Sequence, residues 1–292
     1  MSIPVRCLLF SILLLSGLSA YCQKVNKKPI ILLLHGRGQD ATDQDGKKAA
    51  TLWESFLRSG LLNQSITAQD YDLEFGWYGD LLGKEGINFC THHEFLPQER
   101  LDQYHKYKHT AIQTVFNALD NLPFGKSYFL SQVMPDVKIY LSDQHNQCAI
   151  NDRVEKALEK VVKEERPVII IAHSMGSLVA YNILNRDSRI MPRIKDIELI
   201  TIGSMLGMVG VRKALLGEYM TFGIVVPSSI LRWANVVNIK DYLSFSLNGK
   251  MFSQNDLNLP IDHRVSLQSG HDALGYLSSP EVAKLIKEAI KR

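Results

Sequence analysis

The sequence predicts an α/β domain, a mostly parallel sheet with helices on both faces, and three observations carry that prediction. Several segments are continuous apolar runs, the pattern of strands buried on both faces. These runs alternate with longer segments of helical apolar spacing. The runs end in glycine, serine or acidic residues, as "PIILLLHGRG", "VIIIAHSMG" and "LITIGS" do. In parallel sheets the chemistry gathers at those carboxyl ends.

In chain order, "PIILLLHGRGQD" reads as a buried strand followed by a tight loop. "WESFLRSGLL" reads as a helix, and "YDLEFGWYG" has the aromatic content of a strand. Residues 80–133 are mixed, with a helix expected across "ERLDQYHKYKHTAIQTVFNAL". "CAINDRVEKALEKVVKEE" is helical by apolar spacing. Pro167 opens a strand over Val168–Ala172; "IELITIGS" and "WANVVNIKD" are further buried strands, and "RVSLQ" is a shorter one. "SPEVAKLIKEAIKR" closes the chain as a helix, with Ser279 as N-cap and Pro280 at its first position. The residues at the strand ends are therefore His35-Gly36, Ser174, Gly203-Ser204 and Asp241.

Ser174 stands out among them. A sharp strand-to-helix turn strains its central residue and leaves that side chain exposed for reaction. The residues two before and two after must be small, and here they are Ala172 and Gly176. The helix that follows offers free N–H groups and a dipole favouring negative charge. A serine so held is placed to attack a carbonyl, with the Met175 backbone N–H stabilising the oxyanion. Ala172 stands where G-x-S-x-G has its first glycine, the smallest change available.

Composition is less selective. The chain has 292 residues, 46% hydrophobic and 22% charged, enough for a sizeable core. A net charge of +3 gives no argument for nucleic acid or an anionic membrane surface. "MSIPVRCLLFSILLLSGLSAYCQK" has the proportions of a signal peptide, cut after Ala20 or Cys22, with an uncleaved anchor as the alternative. Residues 1–22 are thus a leader and 23–292 the domain, an exported protein that is periplasmic or secreted. Export leaves Cys90 and Cys148 either paired or as two free thiols.

"LLLHGRG", "IIIAHSMGSLVAYNIL", "LITIGSMLG", "WANVVNIKDYLSF" and "SGHDALGYL", in that order, resemble the α/β-hydrolase superfamily, in its lipase-like and lipid-deacylase-like branch. The resemblance covers roughly residues 29–40 and 165–292. It implies Ser174 as nucleophile and, from "HGRG", the backbone N–H of Arg37 or Gly38 joining that of Met175 as oxyanion donors. The family order of serine, acid, histidine places Asp241 as the acid and His271 as the base. Met205 stands where related sequences carry proline.

The rivals are Asp262, Asp272, Asp136 and Asp196 for the acid and His263 for the base. Asp262 and His263 precede or open the short strand, Asp272 adjoins His271 too closely to face its ring, and Asp136 and Asp196 lie upstream of the required places. Ser174, Asp241 and His271 meet order, placement and residue type together.

The expected activity is ester hydrolysis of a lipidic or other hydrophobic acyl substrate through a Ser174 acyl-enzyme, with no cofactor or metal. A serine peptidase or amidase and an acyltransferase share that intermediate. A non-catalytic binding protein is the reading from another class. The apolar insert 205–233 either covers the nucleophile, holds an acyl chain and touches membrane surfaces transiently, or completes the core. A cap inserted at 81–133 is a second cover. His92, His93, His105 and His109 lack the third ligand and the glutamate of a zinc site.

Overall fold

A computed structural model describes residues 27–36, 43, 45–84, 110, 126–185, 196–216, 226–247, 252 and 258–292. Six strands form one sheet: β1 (Ile30–Leu34), β2 (Asp72–Gly76), β3 (Val168–His173), β4 (Ile197–Ile202), β5 (Ile230–Asn238) and β6 (Ile261–Val265). Their spatial order is β2, β1, β3, β4, β5, β6, and every pairing is parallel. The order reverses between β1 and β3, where connections leave in opposite directions and open a crevice at the carboxyl ends.

Alternation along each strand feeds two cores. Ile30, Leu32, Leu34, Ile170 and Ala172 face one side. There they meet α2 (Lys126–Ser142), α3 (Gln144–Val162), α4 (Met175–Asn185) and α5 (Val209–Leu216). Ile31, Leu33, Ile169, Ile171 and Val236 face the other side. Against them pack α1 (Lys47–Leu62), α6 (Ala273–Leu277) and α7 (Pro280–Ile290). α1 buries Ala49, Trp53, Leu57 and Leu61, a four-residue spacing that keeps one stripe on the sheet. The Ser279 hydroxyl accepts the Val282 N–H and caps α7 as expected.

One expectation about elements needs correction. The last strand is Ile261–Val265, not "RVSLQ", so Asp262 and His263 lie within it instead of before or at its start. The register explains the shift: Asn235 and Asp262 are paired, and the Asp262 carboxylate accepts the Asn235 amide at 2.7 Å and the Leu247 N–H at 3.0 Å. In the described part of insert 205–233, Met205, Leu206, Val211, Ala214 and Leu215 are buried in the core, while Val209 and Leu231 are exposed. Those five residues belong to the core; residues 217–225 lie outside the described residues, as do residues 1–22, expected to be a leader, and most of the region 81–133.

A close backbone approach lies under the site. A Cβ on Gly176 would stand 2.6 Å from the carbonyl oxygens of both Leu34 and His35, which are backbone atoms and cannot swing away. Gly176→Ala is therefore expected to cost about 1–3 kcal/mol by overpacking, read as a lower midpoint of denaturant unfolding with an unchanged slope.

Candidate active site

β3 delivers Ser174 to the carboxyl edge, and α4 begins at the next residue. Ser174 has φ of 52°, a left-handed conformation that costs a non-glycine residue about 1–3 kcal/mol. Surrounding bonds hold it there. Its N–H donates to the Ile202 carbonyl, and its own carbonyl accepts both the Ser177 N–H and the Ser177 hydroxyl. The Ser177 and Ser204 hydroxyls are 2.7 Å apart, which ties the turn to the loop after β4.

Three sequence-distant side chains meet at this turn. Ser174 Oγ is 2.8 Å from His271 Nε2, and His271 Nδ1 is 2.7 Å from Asp241 Oδ2. With Nδ1–H donating to the carboxylate, Nε2 presents its lone pair to the serine hydroxyl. Asp241 accepts two more bonds, from the Tyr276 hydroxyl on Oδ2 and the Leu243 N–H on Oδ1. Burial pushes the Asp241 carboxyl up, but the bonds and charge of His271, with Tyr276 and Leu243, outweigh it. The carboxyl is held below its ordinary range. Burial first, then the Asp241 charge, pushes the Tyr276 phenol well above its usual value, so it remains a donor.

Asn238, at the end of β5 and fully buried, fixes both loops. Its Nδ2 donates to the carbonyls of Leu267 and Gly270, and its Oδ1 accepts the N–H groups of Leu267 and Lys240. The loop carrying His271 and the loop carrying Asp241 are thus referenced to one side chain. On the far side, Asp272 caps α6 through the Leu274 N–H.

His35 follows β1 and lies beside the Ser174 turn. Burial lowers its pKa to about 4, so it is neutral at physiological pH. Nδ1–H donates to the Gly36 carbonyl at 2.6 Å and Nε2 accepts the Tyr78 N–H at 3.1 Å. The Tyr78 hydroxyl also donates to the His35 carbonyl. His35 stacks on the Tyr78 ring with 4.0 Å between centroids. These contacts hold Gly36 directly against Ser174.

Of the residues expected at the site, the structure brings together Ser174, Asp241, His271 and Met175. The Met175 N–H opens α4, where it has no intrahelical acceptor. Arg37 and Gly38 lie outside the described residues. The rivals are elsewhere: Asp262 and His263 in β6, Asp136 within α2, Asp196 before β4 and Asp272 capping α6. Asn238, Tyr276 and His173 were not anticipated. Their signal was faint: two polar residues where apolar runs end, and a tyrosine five positions after the histidine.

Among the described residues no group of three or more His, Cys, Asp or Glu side chains is arranged to hold a metal ion. Nor is any helix among them long and apolar enough to cross a membrane. His92, His93, His105 and His109 lie outside the described residues. Cys148 is buried and engaged in a disulfide. No protein-family model matches the chain, and no curated protein matches it significantly.

Proposed function

We propose that this chain is a serine hydrolase of the α/β-hydrolase kind, exported, and cleaving a carboxylic ester of a hydrophobic acyl group. The observation that carries the reading is the continuous line of short bonds from Ser174 Oγ through His271 to Asp241, set on a strained strand-to-helix turn.

In this reading His271 Nε2 takes the serine proton as Oγ adds to the ester carbonyl. Asp241, kept ionised by its donors, holds the Nδ1–H tautomer and stabilises the imidazolium. The negative oxygen of the tetrahedral intermediate lies at the Met175 N–H and the α4 N-terminus, with Arg37 or Gly38 as the second donor. The imidazolium then protonates the departing alcohol, leaving acyl-Ser174. Water, deprotonated by the same histidine, releases the acid and restores the serine. The Cys148 disulfide supports export, since such bonds persist in oxidising compartments.

The test is hydrolysis of p-nitrophenyl esters from acetyl to palmitoyl by the mature protein. Turnover rising toward medium or long chains is expected. Turnover of peptide amides without ester turnover would replace the esterase reading by a peptidase. Transfer of the acyl group to an added alcohol in preference to water would replace it by an acyltransferase.

A further inference from the structure

His173 immediately precedes the nucleophile and is buried, 4% exposed. Its ring lies between the Gly36 turn and the loop carrying His271. Nε2 is 2.9 Å from the His271 backbone carbonyl, so this nitrogen carries the proton and donates. The two imidazole rings are 4.8 Å apart, tilted at 41°. Trp53 packs edge-on against His173 from α1, with centroids 6.0 Å apart, and the Tyr276 ring lies at 6.1 Å. Nδ1 has no hydrogen-bond partner among the described residues. That nitrogen faces Gly36, on which a Cβ would stand 3.0 Å from it and 2.7 Å from Ser174 Cβ.

We infer that His173 is a positioning residue whose Nε2–H, bonded to the His271 carbonyl, sets how closely the His271 ring approaches Ser174. The inference rests on the serine-hydrolase reading. The other anchors of that loop act at Leu267, Gly270 and Asp272; the His173 bond acts on the residue that carries the base. Because β3 fixes His173 and Ser174 as neighbours, the bond references the base directly to the nucleophile. Burial, and then the nearby charge of His271, lowers the His173 pKa to about 3, so the ring stays neutral while His271 gains a proton in each cycle.

The test compares His173→Gln with His173→Met. Gln places an amide N–H the same number of bonds from Cα as Nε2; Met has the same length and no donor. The readouts are the rate of phosphonylation by a fluorophosphonate, kcat and KM on a p-nitrophenyl ester, and thermal stability. A loop held even 1 Å out of place can lower rates about 100-fold. His173→Met is therefore expected to lose about that factor in phosphonylation and kcat with KM little changed, while His173→Gln stays within about 5-fold of wild type.

Equal rates for folded Gln and Met variants would overturn the inference. If the wild-type chain itself is not phosphonylated on Ser174, the hydrolase reading falls instead. Nitrogen-15 NMR of wild-type histidines decides independently of how the variants fold. The Nε2–H tautomer at His173, unchanged from about pH 6 to 8, supports the inference; an Nδ1–H tautomer overturns it.

Discussion

Ser174→Ala is expected to lower kcat on an activated ester by about 10⁴- to 10⁶-fold, with the fold intact. The loss is large because, in the proposed mechanism, the serine oxygen is the atom that forms the covalent bond. Nothing else at the turn can substitute for it: the neighbouring hydroxyl of Ser177 is committed to the Ser174 carbonyl and to Ser204. Alanine at a left-handed position inherits the strain, but the backbone bonds from Ser177 and to Ile202 do not involve the lost oxygen. Activity should disappear without a matching fall in stability. Residual turnover within about 10-fold of wild type would show that another group attacks.

The second large effect belongs to the acid. Asp241→Asn is expected to lower kcat by about 10³- to 10⁴-fold, because an amide can present N–H to His271 Nδ1 and favour the tautomer that cannot accept the serine proton. KM should change little, since the carboxylate is shielded from substrate by His271 and Tyr276. The contrasting variant is Asp262→Ala. That carboxylate serves Asn235, Ser246 and Leu247, and none of these touches His271. Its loss should cost about 1–3 kcal/mol of stability through unsatisfied donors and leave kcat within about 3-fold. Kinetics and denaturant unfolding on the two variants separate the roles; a larger kcat loss at Asp262 would reverse the assignment.

What was legible in the sequence divides along physical lines. β1 and β3 were readable because a strand buried on both faces is apolar almost throughout; β4 and β5 were readable from apolar runs that Glu198, Thr201, Arg232 and Asn235 interrupt without breaking. Ser174 was readable because strand, turn and helix are contiguous: the small residues at 172 and 176 are demanded by local geometry, which the 2.6 Å approach at Gly176 bears out. The pairing of Ser174 with His271, 97 positions away, is tertiary, and only order and placement pointed to it.

β6 was misplaced because it is an edge strand with a single partner. Ile261 is exposed there, so its burial pattern carries no clean alternation. The reversal of strand order between β1 and β3 leaves no local trace. Asn238 and His173 were missed for a related reason. Each is a polar residue held by partners on loops from elsewhere in the chain, through both ends of the Asn238 amide and the Nε2–H of His173, and those loops are invisible until the chain is folded.

The central claim is that Ser174, activated by His271, is the nucleophile of a hydrolase. The measurement that tests it most directly is reaction of the mature protein with a fluorophosphonate, followed by peptide mass spectrometry. One phosphonyl adduct on the peptide containing Ser174, absent in Ser174→Ala and slowed in Asp241→Asn, is the predicted result. No adduct under conditions that label a known serine hydrolase, or an adduct on a different serine, would contradict the account.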